Sequence, residues 1–383
     1  MPQIKRIAIL ADYPVWLIDP SITTFIGHYA VWLTALSEVF STQKQFEVHW
    51  VVLSKSVDKA KHVKHNGQLF HILPRARKKI GLYSFYWHDS RLIQKQIKEI
   101  QPDLIHAWGT EDCYGFAVRS FNGAKILSIQ GLLTACLRHS EVFPFERKQC
   151  FYEKITLKAF QHITAESPWA IQQAQYINPN AEYKLFEYAV ETPFFHQERD
   201  IAEQPCCLFA GSDRVAKNVN LLIEAFSRPE LSHIRLKLAG PYPHVRTNLP
   251  SNIEVLGRVS REGMLKLLAE TWCIVHASLA DCAPNIANEA RVMGIPVILT
   301  ENCGSKQHVE HGKSGYIFEP HDIEKFIQYV LTVCQSKEMS LEMGSYHRER
   351  ERSLLSKNLM IDRLIKTYNQ MLSHKRLNET LQN

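Results

Sequence analysis

The feature that most limits how this 383-residue chain can fold is the run from Trp272 to Thr300, WCIVHASLADCAPNIANEARVMGIPVILT. An apolar stretch (Trp272 to His276) leads through a polar loop (Ala277 to Pro284) into a helix-forming segment (Asn285 to Met293). A Gly-Pro turn (Gly294, Pro296) and a second apolar stretch (Val297 to Leu299) follow, so the run reads as one strand-helix-strand unit of a parallel sheet. Two carboxylates frame its loop. Asp281 comes just after the first strand and Glu289, eight positions on, lies one turn inside the helix. Both are therefore able to point into the crevice at the carboxyl end of the sheet, where parallel sheets bind ligands. Pro284 suits a first helical turn, whose free N–H groups and positive dipole end would receive an anion. By themselves, two acids eight apart are usually a solvated face.

The segment Asp281-Cys-Ala-Pro-Asn-Ile-Ala-Asn-Glu289, then Ala290, then Gly294-Ile-Pro-Val-Ile, resembles the donor-site signature of the GT-B glycosyltransferases of the large retaining family 4. In that signature two acids frame seven residues and a small-x-Gly-x-Pro-Val strand comes next. The departure is Asp281 for the usual glutamate, one methylene shorter.

The length and a 45% hydrophobic content allow two ordinary domains with full cores. There is no run of about 18 apolar residues, and the start, MPQIKRIAILADYP, is too short and too soon polar for a signal peptide. A cytoplasmic protein is expected. The nine cysteines are scattered without a CxxC pair, which indicates neither a disulfide frame nor a zinc site. Lysine plus arginine against aspartate plus glutamate is 22 against 16 over residues 1–190 and 23 against 23 over 191–383, so the whole excess of +6 lies in the first half. That half is expected to meet something anionic.

Along the chain, Ile4 to Leu10 reads as a strand, followed by a loop to Ile26 and a helix from about His28 to Phe40. Gly27 and His28 correspond to the first loop of the resembled family, on the acceptor side, although Gly27 alone is also compatible with an ordinary turn. Phe46 to Leu53 and Phe70 to Leu73 are further strands. Pro74-Arg-Ala-Arg-Lys-Lys79 then adjoins Ile80-Gly-Leu-Tyr-Ser-Phe-Tyr-Trp87. Cations beside aromatic rings suit the surface of an anionic membrane, such as the inner face of the plasma membrane, and are equally what a solvated loop over core aromatics would show. No nucleic-acid motif accompanies them. Strands at Asp103 to Trp108 and Ile126 to Ile129 end near His106 and Gln130, which resemble acceptor-side positions; family members often carry histidine where Gln130 stands. His106 is otherwise a structural histidine near a strand end. An amphipathic helix (Arg147 to Phe160) and a short strand (Ile163 to Ser167) lead to Tyr188-Ala-Val-Glu-Thr-Pro-Phe-Phe195, which looks like the family's interdomain hinge.

Past a polar linker, Cys206 to Ala210 is a strand ending in Gly211-Ser-Asp-Arg-Val-Ala-Lys-Asn218 before a helix from Val219 to Phe226. The Gly-Lys-Ser/Thr of a Walker loop is missing. The stretch resembles the family's Gly-Arg-x-x-x-x-Lys element, with Gly211 and Lys217 in place, Ser212 where arginine is usual and Arg214 two positions later. An arginine fork and a lysine point charge suit two phosphates, though surface charges at a helix start would look the same.

The resemblance implies an α/β protein of the GT-B class, two Rossmann-like domains facing across a cleft. Residues 1–190 would bind the acceptor, 191–205 would be a linker, 206–353 would bind the donor, 354–373 would be a helix packing back on a core and 374–383 a frayed tail. It implies transfer of a sugar from a nucleoside diphosphate sugar to a glycan, a lipid-linked acceptor or another hydroxyl, with retention, without a metal or further cofactor, in cell-surface polysaccharide or lipopolysaccharide synthesis. Arg214, Lys217, Asp281 and Glu289 would carry the chemistry. Gly211, Ser212, Arg258, Val259, Ala283, Pro284, Asn285, Ile286 and Glu289 would hold the donor, with Arg258 and Val259 at the nucleobase and Glu289 at the ribose. Gly27, His28, His106 and Gln130 would line the acceptor side. A sugar-nucleotide epimerase of the same fold, or a two-lobed sugar-binding protein without chemistry, are the alternatives.

Overall fold

The computed structural model describes residues 4–22, 30–76, 78–139, 143–242 and 248–382; of 78, 79 and 374–382 only the backbone is described. The chain builds two α/β units in succession. The first sheet contains β1 (Lys5–Leu10), β2 (Phe46–Ser54), β3 (Lys61–His65), β4 (Gln68–Pro74), β5 (Leu104–Trp108), β6 (Ala124–Ile129), β7 (His162–Ala165) and β8 (Glu182–Leu185). Their order is β3-β4-β2-β1-β5-β6-β7-β8, parallel throughout except for β3 against β4. That exception follows from local chemistry: Asn66-Gly67 takes φ of 47° and 77°, the geometry of a tight hairpin turn. The second sheet contains β9 (Cys206–Ala210), β10 (Arg235–Ala239), β11 (Ile253–Gly257), β12 (Cys273–His276), β13 (Val297–Thr300) and β14 (Gly315–Phe318). It is wholly parallel, ordered β11-β10-β9-β12-β13-β14.

Central strands such as β1 and β12 are apolar and buried on both faces, as helices on both sides of a parallel sheet require. Three of the expected boundaries differ in instructive ways. Residues 191–205 are not a free linker: Arg199 donates to the carbonyls of Gly294 and Thr271 (both 2.6 Å), and Asp200 N and Ala202 N donate to Ala269 O and Glu270 O. The polar run thus caps carbonyls of the second domain. The segment Ile80 to Trp87 is not a loop but spans two helices, Lys78–Tyr83 and Trp87–Ile100. The last helix, Lys357–Gln382, continues beyond the point where a tail was expected to fray and crosses back to the first domain. There Met360, Leu364, Tyr368 and Met371 join the core formed by Ile7, Val48, Trp50 and Leu104. No helix among the described residues is long and apolar enough to cross a membrane.

Candidate active site

The loops at the carboxyl ends of the two sheets meet. Residue 282 and its neighbours, after β12, are held from several sides. Leu279 N donates to Ala216 O (2.8 Å), Asp281 N to Asn302 O (3.2 Å) and Gly304 N to Asp281 O (2.8 Å). From the first domain Ser167 Oγ, just past β7, donates to Cys282 O at 2.6 Å. The backbones come so close that a Cβ on Gly304 would lie 1.7 Å from Cys282 O and 2.2 Å from Ser167 Oγ, so only glycine fits there. Cys136 Sγ also faces Ala280 O at 3.9 Å, and the turns Leu137–His139 and Val215–Lys217 lie against each other.

Within this frame Lys217, on the 3₁₀ turn before helix Val219–Phe226, bonds Asp281 Oδ2 at 2.5 Å. Asp281 is only 8% exposed. Burial would push the Lys217 ammonium down, but the charge and bond of Asp281 outweigh it and hold the group above its ordinary value, so the lysine stays charged. His276, behind Asp281 at the end of β12, has Nε2 3.5 Å from Oδ2 and Nδ1 2.9 Å from Ser278 Oγ. Burial pulls it down to about 4, against the opposing pull of Asp281, which keeps it neutral near pH 7. The helix Asn285–Met293 opens beside this pair with Pro284 at its N-cap and no side-chain cap hydrogen bond.

Glu289 is 3% exposed and is not joined to Asp281. Arg261 Nη2 donates to Glu289 Oε1 at 2.9 Å, while the same guanidinium pairs with Glu191 and stacks on Phe194, 4.8 Å from the ring centroid. Burial raises the Glu289 carboxyl above its ordinary value despite Arg261. The expected ribose ligand is thus the buried end of a Glu191–Arg261–Glu289 relay whose other two members are half-buried, between the hinge and the helix. Arg214 is exposed on the cleft rim and Ser212 half-buried; Gly211 N bonds Ala239 O at 3.0 Å. Arg258 is exposed and Val259 half-buried at the end of β11, while Ala283, Asn285 and Ile286 follow the Asp281 loop into the helix.

The first domain changes the expected acceptor side. His106 is fully buried: Nδ1 bonds Tyr368 Oη and Nε2 bonds Ser128 Oγ, both at 2.7 Å, and burial pulls the ring down to about 3. It is a core histidine that ties the last helix to β5 and β6, not a group of the cleft. Gly27 and His28 lie outside the described residues. Gln130 is half-buried at the end of β6, beside a residue that sequence reasoning passed over, Glu111. A Cβ on Gly109 would meet Gln130 Oε1 at 3.0 Å and Glu111 Oε2 at 3.4 Å, and Thr110 N donates to Glu111 Oε2 at 2.8 Å. Burial, reinforced by nearby Glu153 and Asp112, raises the Glu111 carboxyl to about 7. Glu153, completely buried, accepts from Leu133 N (2.8 Å) and Thr134 N (2.9 Å) and so fixes the loop after β6. Arg75, expected among free surface cations, is instead tied to Asp112 and lies 3.7 Å from Asp12.

Residues 191–350 match the family model described as Glycosyl transferases group 1. Among solved structures, the chain is similar to sucrose-phosphate synthase from Thermosynechococcus elongatus (15% identity, 97% of this chain and 100% of that one, TM-score 0.80). It is also similar to HepE from Anabaena in complex with UDP and glucose (14% identity, 95% and 99%, TM-score 0.67). A third is WaaG, a glycosyltransferase involved in lipopolysaccharide biosynthesis (15% identity, 90% and 95%, TM-score 0.64). No curated protein matches the sequence. At these identities the likeness concerns architecture: the fold is GT-B, as the Asp281–Glu289 signature implied.

Proposed function

We propose that this protein transfers a glycosyl group from a nucleoside diphosphate sugar to a hydroxyl of a glycan or lipid-linked acceptor, retaining the anomeric configuration, on the cytoplasmic side in cell-surface polysaccharide or lipopolysaccharide synthesis. The observation that carries the reading is the Lys217–Asp281 pair beside the uncapped start of helix Asn285–Met293, inside the region matched by the glycosyl transferases model. That HepE was crystallised with UDP-glucose supports the choice of donor class.

Departure of the diphosphate builds negative charge, and preorganised donors in a closed cleft stabilise it most. Lys217, Arg214 and the N–H groups of Asn285 and Ile286 supply that stabilisation without a metal. When the diphosphate engages Lys217, Asp281 is released to accept bonds from hydroxyls of the sugar. Glu289 serves the ribose through the oxygen that Arg261 leaves to it, and the ends of β11 at Arg258 and Val259 hold the base. On the other side Glu111, with a carboxyl of suitable basicity, takes the proton of the acceptor hydroxyl while Gln130 orients it. Incubation with nucleoside diphosphate sugars tests the reading. Slow release of free nucleoside diphosphate, undiminished by a chelator, supports it; an epimerised sugar nucleotide or tight binding without turnover in any acceptor mixture would overturn it.

A further inference from the structure

We infer that one face of the first domain, formed jointly by the segments 80–87 and 143–151, is a docking surface for an anionic lipid bilayer. Ile80, Tyr83, Phe85, Trp87, Phe143 and Phe151 are each between 52% and 60% exposed, an unusual concentration of bare apolar side chains on a water-facing surface. Tyr83, Phe85 and Phe151 belong to one patch, flanked in sequence by the others. Lys148, on the helix Pro144–Lys158, lies over the Tyr83 ring at 4.3 Å and the Phe85 ring at 5.7 Å. Tyr152, next to Phe151, packs edge-on against Phe85 and donates from its hydroxyl to Leu82 O at 2.8 Å. Arg91 covers Trp87 at 5.2 Å.

The charge around these rings selects the occupant. The helices Trp87–Ile100 and Pro144–Lys158 carry seven lysines and arginines and four acids. Two of the acids, Asp89 and Glu153, are buried and bonded inward, and Glu146 bonds the Phe143 N–H at its own helix start. Glu99, the fourth, is exposed and lies 3.9 Å from Lys95, which leaves an outward excess of cations in which Arg91 and Lys148 lie over the rings themselves. A bilayer with anionic headgroups matches both halves, since rings settle at headgroup depth and cations are drawn to the surface potential. A second copy of this chain would bring an equally positive face against it, which the charge disfavours.

Location adds a consequence. The helix that exposes Phe151 also buries Glu153 against Leu133 and Thr134, at the start of the short helix Leu133–Cys136 whose Cys136 lies beside Ala280. A headgroup-borne hydroxyl would therefore arrive near the mouth of the cleft; this clause rests on the transfer reading above, whereas the bilayer contact does not.

Sedimentation with vesicles tests the surface directly. At low salt the protein should partition onto phosphatidylglycerol-containing vesicles at least about tenfold better than onto pure phosphatidylcholine, and release towards 1 M salt, where the screening length is about 3 Å. A Phe151→Trp reporter should shift its emission to the blue on binding. The triple variant Phe85→Ser, Trp87→Ser, Phe151→Ser should keep its melting temperature and its release of nucleoside diphosphate in solution, yet lose binding by about tenfold or more. Absence of binding to anionic vesicles at low salt, or unchanged binding by the triple variant, overturns the inference. So does a wild-type dimer that the triple variant abolishes while vesicles are ignored. Loss of turnover alone would strike at the transfer reading and leave the surface untouched.

Discussion

Lys217 and Asp281 pair at 2.5 Å, so the lysine is held charged and half-buried against a single carboxylate. A diphosphate offers the ammonium two anionic groups in exchange for one, and the exchange frees a carboxylate at the place where the sugar would lie. Lys217→Ala is expected to lower turnover by about a hundredfold or more, as loss of one group aimed at developing charge does; near-normal steady-state turnover would remove Lys217 from the site. Asp281→Asn should reduce turnover much more than affinity for bare nucleoside diphosphate, and calorimetry on both ligands separates a sugar contact from a structural role. Glu111 gives a pH signature. Its folded value near 7 lies above the ordinary 4.5, so its contribution to stability is complete below about pH 4.5 and is lost as pH rises through 7. As a base it acts in the opposite sense, since only the ionised form accepts a proton. Turnover should therefore rise with a midpoint near pH 7, and Glu111→Gln should flatten both profiles and lower turnover by about 10²- to 10⁴-fold. The acids framing the Asp281 loop and Lys217 were legible because they stand at fixed spacing beside strand ends. Arg261 and Glu111 were not, because what gives them meaning is a partner brought near by folding, Glu191 for one and Gln130 for the other. His106 misled for the same reason, its partner Tyr368 lying 262 positions away.

Strands and helices around the Asp281 loop came out of the sequence almost residue for residue, because apolar runs of four to six bounded by glycine leave few readings: Asn285–Met293 and Cys206–Ala210 are found where the pattern put them. Two edge strands escaped: β8, EYKL, and β3, KHVKH, which buries little beyond part of Val63 and is marked only by the Asn66-Gly67 turn after it. At this scale the tightest joint is the one at Gly304. Gly304→Ala must push apart the Cys282 carbonyl and the Ser167 hydroxyl, and overpacking of this kind costs about 1–3 kcal/mol. We expect a lower melting temperature together with a fall in turnover, since Asp281 rides on the displaced strand of chain. A variant that melts lower but turns over normally would mean that the loop can recoil without moving its carboxylate.

Across the whole molecule the two domains are not strung one after the other like beads. The first is closed by the last helix, with Tyr368 completely buried between Phe40, Phe46 and His106. Tyr368→Ala should destabilise the first domain by about 3–5 kcal/mol through the void it leaves. Tyr368→Phe, which removes only the bond to His106, should cost about 1–3 kcal/mol. Denaturant unfolding followed by hydrogen exchange in β1 and β5 would locate the loss; protection that is unchanged there would show that the helix is dispensable to that core.

That closure also sets an order of events during synthesis. Chain emerges at roughly 5–20 residues per second, so about ten to forty seconds separate the emergence of residue 190 from that of Tyr368 and Met371. Throughout that interval the nascent first domain lacks one wall of its core, and Ile7, Val48 and Phe46 face a gap that only the final helix can fill. The first domain is thus finished last, after the second has had time to fold, and the ribosome-bound intermediate carries an apolar groove that a holding chaperone would be suited to shield.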